Sequence, residues 1–306
     1  MTTAAAAEIT VIPLGDLAES WYIKLAAEGK SKSTIKSYRA SVEGFLKWHA
    51  QQGSAAPVLD KATVNVYLAD MREQGAKPGT TRLRFAALKL YSQWLAMEGE
   101  TNRDELVGMR PPKAAKPVVP CLSDEDLDAL VKACRGTDFT DKRDMAIVRL
   151  LAQTGLRAGE MAALTVTDVD VRGGMLKVVR GKGGKGRLVG FGPVVAQALD
   201  KYLRARRSHP LAHTPALWLG DQGKTLGYAG ASRAIGIRAR AAGIEGFHLH
   251  RLRHSAASRW LAAGGSEDGA MANFGWTTRD MLSHYTSDTA QRRAIDEARK
   301  LGLDRI

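Results

Sequence analysis

His250-Arg251-Leu252-Arg253-His254 opens a stretch whose apolar residues recur at helical spacing. Leu252, Ala256 and Leu261 fall on one face and Gly264-Gly265 ends the run, so a helix reaching to about Ala263 is expected. On it His250 and Arg253 stand three residues apart and share a face. A basic helix end alone is as readily a solvated surface as a site. Far upstream, Thr154-Gly155-Leu156-Arg157-Ala158-Gly159-Glu160 follows a second helical run, from about Asp141 to Gln153. Met145, Val148, Leu151 and Ala152 mark its inward face and Gly155 its stop. Arg157 then falls just past the helix end, in a short turn through Glu160 to Leu164, a place that suits a buttressed side chain. The plain reading of Arg157 and Glu160 is a surface ion pair of little energetic weight.

Composition bounds what such a cluster could serve. The 306 residues allow two domains with real cores, and 44% hydrophobic with 25% charged residues is ordinary for a soluble globular chain. No stretch approaches a membrane span, and Met1 to Ala7 lacks the basic and apolar regions of a secretory signal, reading instead as the start of a disordered tail over 1–15. Cys121 and Cys134 show neither zinc spacing nor a disulfide framework, which points to a reducing, cytoplasmic compartment. The net charge of +13 is unevenly placed: residues 1–112 carry 14 basic and 12 acidic residues, so nearly all the excess lies beyond them. A polyanion is the expected partner, nucleic acid being the commonest.

Residues 16–110 read as a small bundle of four helices. Leu17, Trp21 and Leu25 stripe the first, and Ile35, Tyr38, Val42, Phe45, Leu46 and His49 the second. Val64, Tyr67, Leu68 and Met71 stripe the third, and Ala87, Leu88, Tyr91, Trp94 and Leu95 the fourth. Because the aromatic residues lie on these stripes, they read as core rather than as base-stacking platforms. Ser33, Thr34, Lys36, Thr81, Arg84 and Lys89 fall at helix starts or off the stripes, where they suit phosphate contacts; helix capping explains the hydroxyls equally well. From Gly99 the pattern breaks, and Pro111, Pro112, Pro117 and Pro120 with Lys113 and Lys116 mark 111–120 as a linker before a second domain, 121–306.

That domain opens with Ser123 as an N-cap and helices near 124–135 and 141–153. Met175 to Arg180 and Arg187 to Phe191 read as strands around the glycine-rich Gly181–Gly186, a hairpin carrying Lys182 and Lys185. Exposed hairpin lysines are commonly only solubilising, and the spacing is not that of a phosphate-binding P-loop. Further helices are expected over Pro193 to Arg207, Tyr228 to Ala242, Glu267 to Phe274, Thr278 to Tyr285 and Asp288 to Leu301.

Taken together, TGLRAGE, GKGGKGR, HRLRHS and FGW with Tyr285 nine residues on resemble, in order and spacing, the tyrosine recombinases or phage-type integrases. The resemblance spans about residues 15–300. It implies a mainly α fold with a small β-sheet, in which an N-terminal four-helix SAM-like core-binding domain precedes a C-terminal mixed α+β catalytic domain. It also implies a compact Xer-like or Cre-like member without an arm-binding domain. SKSTIKSY and TTRLRFAALK resemble, more loosely, the segments that approach duplex DNA, and the two domains would close on it as a clamp.

By the same resemblance Tyr285 is the nucleophile, Arg157 and Arg253 hold the non-bridging phosphate oxygens, Lys182 is the general acid and His250 an acid/base partner. Glu160 orients the cluster, and Lys185 and Arg187 contact the DNA backbone. Trp276 stands where most members have histidine; its indole can donate a hydrogen bond but cannot shuttle a proton. A phenol of pKa about 10 needs such cations beside it. No metal or other cofactor is expected. The implied reaction is site-specific recombination through a 3′-phosphotyrosyl intermediate and a Holliday junction, on double-stranded DNA, by a homotetramer spanning two duplexes, with accessory or directionality proteins as further partners and a nucleoid location. The competing readings are a type IB topoisomerase, whose family usually lacks the histidine, and a DNA-binding regulator with a dead recombinase fold.

Overall fold

The computed structural model describes residues 14–53, 58–112, 121–179, 186–221 and 223–279, together with 295, 298 and 299. The chain divides into two compact units, Met1–Pro117 and Val118–Ile306.

Four helices make the first unit: α1 (Leu14–Ala27), α2 (Lys32–Gln51), α3 (Lys61–Glu73) and α4 (Pro78–Met97). Local chemistry sets their starts. Ser31 accepts the Thr34 amide at 3.1 Å, Asp60 accepts that of Thr63 at 2.8 Å, and Pro78 needs no amide partner at the head of α4. The stripes converge on one core of Trp21, Val42, Phe45, Val64, Leu88, Tyr91 and Leu95. Trp21 stacks on Tyr38 with centroids 5.8 Å apart and meets Tyr91 at 5.1 Å, so the rings do serve packing. Each such side chain contributes about 1.5–3 kcal/mol by leaving water. The residues after α4 are not yet linker: Leu106 is fully buried in this core, and its amide is held by Ser92 Oγ and Asp104 Oδ1.

The second unit contains α5 (Asp124–Ala133), α6 (Phe139–Thr154), α7 (Ala158–Ala162), the strands β1 (Val169–Asp170), β2 (Met175–Val178) and β3 (Arg187–Gly190), then α8 (Pro193–Arg206), α9 (Tyr228–Ala241), α10 (Leu249–Ala262) and α11 (Glu267–Phe274). Helix α6 packs against both α8 and α10 and buries Ala146, Ile147, Val148, Leu150 and Leu151. Its buried Asp144 is paired with Arg143 and, at 3.0 Å, with Arg238 of α9, so the charge taken from water is compensated.

The three strands form an antiparallel sheet in the order β1-β2-β3, with Leu176 opposite Val189 and Val178 opposite Arg187. Leu176, Val178 and Val189 face the core; β1, only two residues long, is too short for alternation to announce it. Ser255, buried on α10, accepts the Leu122 amide at 2.7 Å and donates to the Arg251 carbonyl at 3.0 Å, tying the entry of this unit to α10. Among the described residues no helix is long and apolar enough to cross a membrane.

Candidate active site

The site grows from two helix ends. Helix α6 stops at Gly155 in the left-handed conformation (φ 59°), and α11 stops at Gly275 in the same way (φ 62°). Each end leaves carbonyls without intrahelical partners, and arginines take them. Arg253 of α10, only 2% exposed, donates to the Gly155 carbonyl at 2.6 Å and to the Phe274 carbonyl at 2.7 Å. Arg157 donates from Nη2 to the Gly275 carbonyl at 2.9 Å, and Arg187 from Nε to the Asn273 carbonyl at 2.9 Å. Three arginines distant in sequence thus grip three successive carbonyls, those of residues 273, 274 and 275.

One carboxylate orients two of them. Glu160 Oε1 accepts Arg157 Nη1 and Arg187 Nη1, both at 3.0 Å, while Oε2 accepts the Arg157 amide and Arg187 Nη2, both at 2.9 Å. Burial pushes the Glu160 carboxyl up, but the hydrogen bonds and charges of Arg187 and Arg157 outweigh it and leave the pKa lowered. The Arg157–Glu160 contact is therefore no solvated surface pair: the Glu160 side chain is 4% exposed.

His250 lies on the open side of α10, its ring edge-on to His254 at 4.7 Å. Its pKa is lowered, first by desolvation and then by the positive charges of Arg253, His248 and Arg157. Trp276 is buried with Phe274, Ala256 and Leu261, and the Arg253 guanidinium stands 5.6 Å from the Phe274 and Trp276 rings alike. Trp276 thus forms a packing wall beside Arg253. Lys182, Lys185 and Tyr285 lie outside the described residues, and so do the helices expected over 278–285 and 288–301 apart from residues 278, 279, 295, 298 and 299.

Arg187 is placed differently from expectation. Read from sequence as a DNA-backbone contact, it turns inward, its side chain 14% exposed, because β-strand alternation sets it on the face of Val189 and opposite Val178. A cation on that face requires a buried anion, and Glu160 supplies it.

In the first unit, Thr81 is corrected as well. It lies 1% exposed on the stripe it shares with Phe85, Leu88, Ser92 and Leu95, its hydroxyl directed to the Lys77 carbonyl. Lys89 is half-buried and donates to the Met109 carbonyl at 3.2 Å; Arg84, also half-buried, lies against Gly44 and Tyr67. Ser33 and Lys36 are exposed and Thr34 half-buried at the head of α2, with Ser33 Oγ 2.9 Å from Ser31 Oγ.

Arginines and a histidine gathered at helix ends around one orienting carboxylate make a cationic site whose chemistry suits a phosphate group. The comparisons agree on a family. Residues 120–292 match the phage integrase family and residues 18–99 the phage integrase N-terminal SAM-like domain. Tyrosine recombinase XerC of Chromobacterium violaceum is 31% identical over 264 residues, covering 86% of this chain and 87% of its own. Tyrosine recombinase XerD of Corynebacterium glutamicum is 30% identical over 289 residues, covering 89% and 94%. In fold, the chain is similar to the XerH site-specific recombinase bound to palindromic difH substrate in a post-cleavage complex, with TM-score 0.73 at 17% identity over 93% of this chain and 83% of that one. This chain belongs to the phage integrase family, the tyrosine recombinases.

Proposed function

We propose that this chain is a site-specific DNA recombinase acting on double-stranded DNA, with Tyr285 as its nucleophile. The observation that carries the reading is the meeting of Arg157, from the turn after α6, and Arg253, from α10, at the carboxylate-braced end of α11, with His250 one turn before Arg253 on α10. Arg157 and Arg253 neutralise the charge that grows on the non-bridging oxygens as phosphorus becomes pentacoordinate. His250, its pKa lowered and its ring neutral at pH 7, is suited to take the phenolic proton as the Tyr285 oxygen attacks phosphorus. The bond from phosphorus to the 5′ oxygen breaks, Lys182 protonates that oxygen, and a 3′-phosphotyrosyl ester remains. A 5′ hydroxyl of a second duplex reverses the step and completes strand exchange without ATP. Trp276 supports Arg253 by packing.

Ser33, Thr34 and Lys36 at the head of α2, joined by Arg84 and Lys89, contribute phosphate contacts from the first unit, and Lys185 contributes them from the hairpin loop. The working form is a tetramer on two duplexes, located with the nucleoid in the cytoplasm and open to accessory proteins. The histidine at 250 favours recombination over a type IB topoisomerase.

The test is to incubate the purified chain in EDTA with a pool of nicked host and element duplexes, quench in detergent and sequence the DNA that stays attached to protein. Enrichment of an inverted-repeat site, lost in Tyr285→Phe, is expected. A folded protein that binds duplex yet captures none would favour a DNA-binding regulator.

A further inference from the structure

Arg187 belongs to no step of the proposed reaction, yet all three of its guanidinium nitrogens are engaged. Both Nη atoms meet both oxygens of Glu160, at 3.0 and 2.9 Å, and Nε meets the Asn273 carbonyl at 2.9 Å. Glu160 continues to the amide and Nη1 of Arg157, whose Nη2 reaches the Gly275 carbonyl at 2.9 Å. These bonds close a ring through β3, α7 and the end of α11. The ring leaves no room for a side chain at residue 275: a Cβ there would stand 2.9 Å from Arg187 Nη1. In sequence, Arg187 follows Lys182 by five residues and Gly275 precedes Tyr285 by ten.

We propose that Arg187 is a positioning residue for strand cleavage. It holds Glu160, and through it Arg157, in register with the end of α11, so that the arginine at the phosphate is fixed against β3 and the carbonyls of residues 273 and 275. The inference rests on the recombinase reading above. A planar fork suits this place, because a lysine is a point charge that cannot span both Glu160 oxygens and the Asn273 carbonyl together.

The experiment compares wild type, Arg187→Gln and Arg187→Lys on the nicked duplex pool, measuring duplex affinity, its salt dependence and the single-turnover rate of covalent capture at saturating protein. Because the rate is read on bound complexes, a partly unfolded sample does not mimic the effect. Capture by both variants is expected to fall about a hundredfold, with affinity within about threefold of wild type and an unchanged salt slope. Should Arg187→Gln not fold, the milder Arg187→Lys decides. Near-normal capture rates would overturn the inference, and so would a normal rate with the salt slope reduced by about one, the mark of a phosphate contact. Failure of wild type to capture any DNA would instead remove the recombinase reading.

Discussion

Glu160→Gln tests the energetics of the site without changing its shape. Four N–H groups converge on the carboxylate, two on each oxygen. Glutamine retains one oxygen, and its amide nitrogen turns donors toward the two N–H groups at the other, so two hydrogen bonds from charged or structurally fixed donors are lost. At about 1.5–3 kcal/mol for each bond to a charged group, the loss is about 3–6 kcal/mol. Breaking a buried ion pair from one side gives a similar figure. Glu160 is nearly enclosed and Arg187 largely so, which keeps water from replacing the bonds. For a unit the size of Val118–Ile306, calorimetry on the full chain should show its transition lowered by about 10 °C.

The pH dependence provides a second check. The folded carboxyl has a lowered pKa, so its contribution is complete above the ordinary carboxylate pKa of about 4.3 and is lost as pH falls through the folded value. Glutamine does not titrate. The gap between wild type and variant should stay constant from pH 8 to pH 5 and close in stronger acid. A loss below about 1 kcal/mol, the scale of an exposed pair, or a gap that persists unchanged in acid, would refute this account of the carboxylate.

Three further outcomes follow from the geometry. Gly155→Ala should cost about 3 kcal/mol or more in urea unfolding, since it adds a left-handed φ to a Cβ that overlaps the Phe274 ring; a cost below about 1 kcal/mol would contradict it. His250 should titrate by NMR below the ordinary value of about 6.5, and because the unfolded ring then binds protons more readily, stability should fall as pH drops from there toward the folded pKa, a slope that His250→Gln removes. Thr81→Val should leave duplex affinity within about twofold of wild type, whereas Lys36→Ala should lower the salt slope by about one, as read by binding titrations at several ionic strengths.

How far the sequence carried this picture depends on the kind of interaction. Helices bounded by a cap and striped with apolar residues were legible nearly to the residue: α11 spans Glu267–Phe274 as its spacing predicts, and Gly155 closes α6 in the left-handed conformation. Side-chain partnerships across the fold were not legible. Arg187 and Glu160 are separated by 27 residues, and no periodicity states which carboxylate a strand arginine will meet. The inward direction of Arg187 was nonetheless available, since alternation from Val189 places it on the core face. Thr81 carried a similar signal, standing four residues before Phe85 and seven before Leu88 on the stripe that faces the core; its hydroxyl made it resemble a surface contact. Leu106 was hidden because a short apolar pair in a turn has no period, yet it is fully buried in the first core.

The measurement that tests the central claim most directly is mass spectrometry of the DNA-linked peptide. The covalent complex formed on nicked duplex would be digested with trypsin and nuclease, and the modified residue identified. The account predicts a single 3′-nucleotide adduct on Tyr285, in the peptide that follows Arg279. An adduct on any other residue, or none from a chain that is folded and bound to duplex, would contradict it.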